Sequence, residues 1–243
     1  MGLLDSVEGL INNTGLTGIQ KFFKTGKQPA PQVNFFSSTG ELFSKDTRVR
    51  LKVPHIYVTG PYTSLQPGIK NTDSIVFPYT PQIQFEHKAD YSATKVTHSN
   101  FQQYFYQHSS VGTISVTGKW TVQNADDAAA YLSTIQLLRG LTKMWTGTDS
   151  YTKGGTPPPV CRLSAYGDYM LDNIPVAITT FRNDLLENVD YFTVPTGSVF
   201  ANTAVPIVST ISLNLIPMYS RAEQQQFGVT PWLGGLLKGK GYL

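Results

Sequence analysis

The sequence is poor in charge. Lys, Arg, Asp and Glu supply only 14% of its 243 residues, against roughly 25% in an average soluble domain. That scarcity excludes a charge-laced coiled coil and disorder of the highly charged kind. Cysteine is almost missing: Cys161 alone leaves no internal disulfide framework and no zinc knuckle. Its flank, Pro157-Pro158-Pro159-Val160, brings no cation or base to activate a thiolate. No apolar run reaches the roughly 18 residues that a membrane-spanning helix needs. The opening Met1-Gly2-Leu3-Leu4-Asp5 carries an acid early and no basic n-region, so no signal peptide is expected. The net charge of +3 is too mild for a nucleic-acid footprint, which needs clustered Lys and Arg.

Catalytic signatures are missing too. His55, His87, His98 and His108 fall in four separate segments with no HExxH spacing. Glu86 and His87 are adjacent, and neighbours on a strand point to opposite faces. There is no GxSxG elbow, Walker A loop or GxGxxG. Lys153-Gly154-Gly155-Thr156 is followed by three prolines where a phosphate loop would open its helix. Asp126, Asp127, Asp168 and Asp172 have no obvious catalytic partners, and Asp172-Asn173 suits a turn. No enzyme, metal or cofactor is expected; an enzyme built on converging histidines is the weakest of three readings.

What the sequence has in quantity is Thr (27), Tyr (13) and Phe (13), residues that favour strands. Its length suits one large β domain. Leu3, Leu4, Val7, Leu10 and Ile11 have helical spacing and predict a short N-terminal helix that either packs on its own domain or serves as a docking arm for a neighbouring subunit, followed by a Gly/Pro/Ser linker over 24–47. Arg48-Val49-Arg50-Leu51-Lys52-Val53 alternates, placing three cations on one strand face, either solvated or meeting acidic groups of a partner. Residues 60–75 read as a loop, 82–87 alternate again, and 91–106 show no assignable pattern.

Residues 111–122 give the clearest strand. Ile114, Val116, Trp120 and Val122 share one face, Thr113, Ser115, Thr117, Lys119 and Thr121 the other, and Gly118 signals a bulge or close backbone approach. A helix follows, capped by Asn124 with Asp126 and Asp127 in its first turn. Its stripe is Ala128, Tyr131, Leu132, Ile135, Leu138, Thr142 and Trp145, and Gly147 can close it. Further strands are expected over 160–165, 170–181 and 205–218, the last with Thr210, Ser212 and Asn214 outward. The tail from Pro231 carries Trp232, Leu233, Leu236, Leu237 and Tyr242 on a glycine-rich frame; such groups must be buried, and burial between subunits is favoured.

With that element order, several short motifs resemble one family. They are Leu141-Thr142-Lys143-Met144-Trp145, Gly155-Thr156-Pro157-Pro158-Pro159-Val160, Gly167-Asp168-Tyr169, Asn173-Ile174-Pro175-Val176, Asn188-Val189-Asp190-Tyr191 and Leu213-Asn214-Leu215-Ile216-Pro217, with the tail Leu236–Tyr242. The stretch 75–243 is similar to tail-tube-type structural proteins of the baseplates of contractile-tailed bacteriophages, those that start the tube on the hub. The resemblance implies a mainly β fold with one flanking α-helix, a tail-tube-like β-sandwich or half-barrel with extended arms: 1–47 arm and linker, 48–219 β domain, 220–243 interaction tail. It implies a ring, usually of six copies, whose strands form a β-barrel around a DNA channel. The partners implied are other copies, the tail tube protein, and baseplate hub and wedge proteins, in a virion made in the host cytoplasm. DNA would pass without specific binding, and no membrane partner is implied. Leu3, Leu4, Val7, Leu10, Ile11, Trp232, Leu233, Leu236, Leu237 and Tyr242 are then candidate subunit contacts. Thr113, Ser115, Thr117, Thr210, Ser212 and Asn214 are candidates for the channel wall, where neutral hydroxyls would not hold phosphates. The rival reading is a carbohydrate- or host-surface-binding β module that uses the aromatics of Phe101–Tyr106.

Overall fold

The computed structural model describes residues 47–58, 67–95, 97–148, 154–196 and 198–243. The expected arm residues Leu3, Leu4, Val7, Leu10 and Ile11, and the linker up to residue 46, lie outside the described residues. All described residues belong to one unit, Ser44–Leu243.

The chain is mainly β. In order, the strands are β1 (Arg50–Lys52), β2 (Ser74–Val76), β3 (Gln82–Gln84), β4 (His87–Thr94), β5 (Gln103–Val111), β6 (Ile114–Thr121), β7 (Cys161–Ala165), β8 (Leu171–Leu185), β9 (Tyr191–Thr193), β10 (Ala204–Pro206) and β11 (Val208–Pro217). The helices are α1 (Pro67–Thr72), α2 (Ala125–Leu141), α3 (Arg221–Gln226) and α4 (Val229–Leu233). Seven strands form one antiparallel sheet in the order β2-β1-β7-β8-β11-β6-β3, while β4 with β5 and β9 with β10 make two separate pairs. The large sheet is open and is not a closed barrel, and both α2 and the β9–β10 pair contribute residues to the core beside it.

Alternation explains the layering. On β6, Ile114, Val116 and Trp120 are buried, and on β11 so are Ile211, Leu213 and Leu215, their polar neighbours facing the other way. The register sets like against like: Leu213 opposite Val116, Ser212 opposite Thr117. A sheet apolar on one face needs one covering layer, and α2 provides it. Asn124 caps that helix by accepting from the Asp127 N–H at 2.8 Å. Ala128, Tyr131, Ile135 and Leu138 join the core as expected, and Tyr131 donates its hydroxyl to Asn183 of β8 at 3.1 Å. The buried face is broader than the expected stripe, because Ser133, Thr134, Leu137 and Leu141 are buried as well. The helix stops at Leu141, capped by Thr142, well before Gly147. Trp145 is held instead by a 2.6 Å hydrogen bond from its indole N–H to Tyr57.

Two expectations are corrected. The supposed loop over 60–75 contains α1 and β2, anchored by fully buried Ile69 and Ile75. Asp172-Asn173 lies within β8, not in a turn, although Asn173 has φ 58 where the β7–β8 register shifts. A bulge makes the same local demand for a left-handed residue that a turn does.

Gly118 marks a close approach, as anticipated. A Cβ there would lie 2.6 Å from Cδ1 of Phe77, whose ring also packs 6.2 Å from Trp120. Gly118→Val is expected to destabilise the domain by about 1–3 kcal/mol through overpacking. Urea unfolding of the variant against wild type measures the difference.

Candidate assembly surfaces

The polar face of the large sheet gathers most of the anticipated wall residues. Ser212 stands opposite Thr117, Asn214 opposite Ser115, and Thr210 opposite Lys119. Thr117 Oγ1 donates to Ser212 Oγ at 3.3 Å. Thr113 lies just outside β6, exposed, at the same end. The face is less neutral than the hydroxyls alone suggest. Arg182 of β8 stands opposite Ser212, Asp184 opposite Thr210, and Arg182 Nε reaches Asp184 Oδ1 at 2.5 Å. Toward the β1–β7 side, Lys52 stands opposite Arg162, and Arg50 opposite Ser164. With Thr72, Ser74, Asp172, Asn173 and Gly239, these line a cleft of about 360 Å³.

The β4–β5 hairpin extends beyond the large sheet. Its register runs from His87 opposite Val111 to Thr94 opposite Gln103, and almost every residue on both strands is exposed. Alternation nevertheless gives it two unlike faces. Tyr91 pairs with Tyr106, rings 5.7 Å apart, and Ala93 with Tyr104. The other face carries Lys88, Asp90 and Ser92 of β4 and His108 and Phe105 of β5. Lys88 Nζ and His108 Nε2 approach Asp90 at 2.7 and 3.3 Å. The three tyrosines are 61% (Tyr91), 66% (Tyr104) and 56% (Tyr106) exposed. This aromatic face continues the apolar side of β3, where Ile83 packs on the core and Phe85 leans on His87, but no helix of the described chain covers it as α2 covers the large sheet. A two-stranded hairpin is marginal alone in water.

The C-terminal tail is divided. Ser220 and Glu223 form a capping box on α3, with the Ser220 N–H 2.7 Å from Glu223 Oε2. That N–H, then the Ser220 hydroxyl and the Arg162 guanidinium, hold the Glu223 carboxyl below its usual range. Tyr242 donates to the Glu223 carbonyl at 2.7 Å and stacks on Tyr219 at 5.8 Å. Burial pushes the Tyr219 phenol up. Lys238 lies 3.3 Å from Asp168 Oδ2 and 4.2 Å over the Tyr169 ring. Gly241, at φ 85, passes so close to the Asn173 carbonyl that a Cβ would sit 2.4 Å from its oxygen. Leu237 is only 8% exposed, whereas Leu233 and Leu236 are 74% and 72% exposed and Trp232 is 43%. Of the tail residues singled out as subunit contacts, Leu237 and Tyr242 are thus engaged within the chain. Trp232, Leu233 and Leu236 remain at the surface, and the first two line a groove of about 400 Å³ that also touches Phe85 and Met170.

Because the folded-state pKa of Glu223 is lowered, its contribution to tail docking is complete above the ordinary glutamate range. It is lost as the pH falls through the lowered value. Tail docking is expected to loosen on acidification, and Glu223→Gln to remove that step, read by the fluorescence of Trp232 against pH.

The histidines stay apart. His55 contacts Asp73 at 3.0 Å, His108 contacts Asp90, and His87 packs on Phe85. Cys161 is buried, and burial pushes its thiol up to about 12. The native protein should therefore resist maleimide labelling at neutral pH and react only once unfolded; equal labelling rates would contradict this burial. No helix among the described residues is long and apolar enough to cross a membrane.

The surfaces described define a mainly β domain with one covering helix, an open sheet and an extended hairpin. No family model matches the sequence, and no curated protein matches it. Among solved structures, the chain is similar to one in the six-fold symmetrised cryo-EM structure of the anti-feeding prophage baseplate. The identity is 11% and the TM-score 0.30, over 75% of this chain and 96% of that one.

Proposed function

We propose that this chain is a ring-forming structural component of a contractile-tail baseplate, a tube initiator or adaptor that surrounds the DNA channel. The observation that carries the reading is the β4–β5 hairpin, which stands beyond its own sheet with a tyrosine face that no described layer covers. Large one-sided apolar surface of this kind marks a site of association. The open sheet adds unpaired borders, which oligomer closure removes. The resemblance of short motifs in residues 75–243 to tail-tube-type proteins supports this kind of assembly. Copies meet through hairpins and sheet borders, and the hydroxyl-rich face of β6 and β11 faces the channel. Trp232, Leu233 and Leu236 dock a hub, wedge or tube protein. No step of this role calls for catalysis or a cofactor.

Particles produced without this chain test the proposal. Electron microscopy is expected to show baseplates bearing no tube, with tube restored by supplying the chain. Normal tubes on particles lacking it would refute the role.

A second reading, a glycan-binding module, is favoured by one feature: Tyr91, Tyr104 and Tyr106 form an exposed aromatic platform. Glycan-array binding by the isolated chain that is lost in Tyr104→Ala would support it over the assembly role.

A further inference from the structure

Two strand edges left open among the described residues, one in the separate β4–β5 pair and one in the large sheet, have sequences that complement each other. One is the outer edge of β4, which pairs on its other side with β5. The second is the distal half of β8. β7 meets β8 only as far as Val176, and β11 covers its other side up to Leu185. From Ile178 to Leu185, therefore, β8 is paired on one side only among the described residues. That stretch matches β4 in length. Its core-facing side is incompletely covered: Phe181 is half-buried, and Leu185 and the following Leu186 are exposed. On its polar face, Arg182 and Asp184 sit two residues apart, as Lys88 and Asp90 do on β4.

Opposite charges directly across a strand pair stabilise it and like charges destabilise it. A parallel pairing would set Lys88 against Arg182. An antiparallel pairing sets Lys88 against Asp184, Asp90 against Arg182 and Ser92 against Thr180. The same register puts Tyr91 against Phe181 and His87 against Leu185 on the other face, so an aromatic pair and an apolar contact form together with two ion pairs.

We propose that the outer edge of β4 in one copy of this chain adds to the distal edge of β8 in a second copy, antiparallel, with Lys88 opposite Asp184 and Asp90 opposite Arg182. Each copy then offers a donor edge and a different acceptor edge, a head-to-tail contact that propagates from copy to copy. The aromatic face of the hairpin gains the neighbour it lacks, against Phe181 and Leu185. This pairing rests on the self-assembly reading above and names the surfaces that meet.

Two measurements on the full chain test it. Lys88→Asp and Asp184→Lys are each expected to weaken self-association about 2- to 5-fold, the effect of like charges set across a strand pair. The double variant Lys88→Asp/Asp184→Lys should regain wild-type association in sedimentation velocity. A double variant no better than the weaker single one overturns the register. In the second measurement, copies carrying Ser92→Cys are mixed with copies carrying Thr180→Cys. Residues directly opposite lie within disulfide reach, so disulfide dimers should form in the mixture and not in either variant alone, while Cys161 stays buried. Association without cross-linking in the mixture overturns this pairing and leaves the ring reading standing. Cross-linked dimers that assemble further into open filaments support the pairing and count against the ring. A wild-type chain that stays monomeric through both measurements overturns both.

Discussion

A chain in which Tyr91–Gln107 is replaced by Asn-Gly is expected to fold as wild type and to lose self-association. Asp90 and His108 face each other in the hairpin register, so a two-residue Asn-Gly turn closes it without disturbing β3 or β6. The described residues among those deleted are all exposed, and none belongs to the buried core cluster. The thermal transition should therefore stay within the small range of surface changes, about 0.5 kcal/mol. Association should fall steeply, because buried tyrosines act as interface anchors worth roughly 2 kcal/mol or more each when truncated. Tyr91→Ala and Tyr104→Ala are expected to fall between the two extremes. A shortened chain that still assembles would remove the hairpin from the account; one that unfolds would show that it belongs to the domain's own stability.

The C-terminal tail yields the second large effect, and it separates two neighbouring leucines. Leu237→Ala is expected to destabilise the domain by about 2 kcal/mol or more, since a buried leucine loses its transfer energy and leaves a cavity. Leu236→Ala and Leu233→Ala, at exposed positions, should change stability by less than about 0.5 kcal/mol and instead weaken docking of a partner. Removing Trp232–Leu243 combines both losses, because it also takes away the Tyr242 hydroxyl on Glu223 and its stack on Tyr219. Denaturant unfolding reads the first class, and pull-down of baseplate components reads the second. Equal unfolding midpoints for Leu236→Ala and Leu237→Ala would contradict the division of the tail.

How much was legible in the sequence follows from burial. β6, β11 and α2 were readable because each is buried on one side, which writes a period of two or of 3.6 into the chain. Asn124 and its two aspartates then fixed where α2 begins. The hairpin was unreadable for the opposite reason: both of its faces meet solvent within one chain, so residues 91–106 are under no demand to alternate strictly, and a bulge between Asp90 and Tyr91 shifts what alternation there is. α1 was hidden by its brevity, its starting Pro67 and Gly68 reading as loop although proline suits a first helical turn. In the tail, positive-φ glycines at 235, 239 and 241 redirect the chain at short intervals. No periodicity could then tell inward Leu237 from outward Leu236. The wall residues Ser115, Thr117, Thr210, Ser212 and Asn214 were placed on one face by alternation alone, but their charged neighbours on β8 came from a strand order that the sequence does not display.

The account stands most directly on one image. Negative-stain electron microscopy of the purified full-length chain, across a concentration series, should show closed rings with a central opening wide enough for duplex DNA. Uniform single copies at every concentration, with no rings or partial arcs, would contradict it.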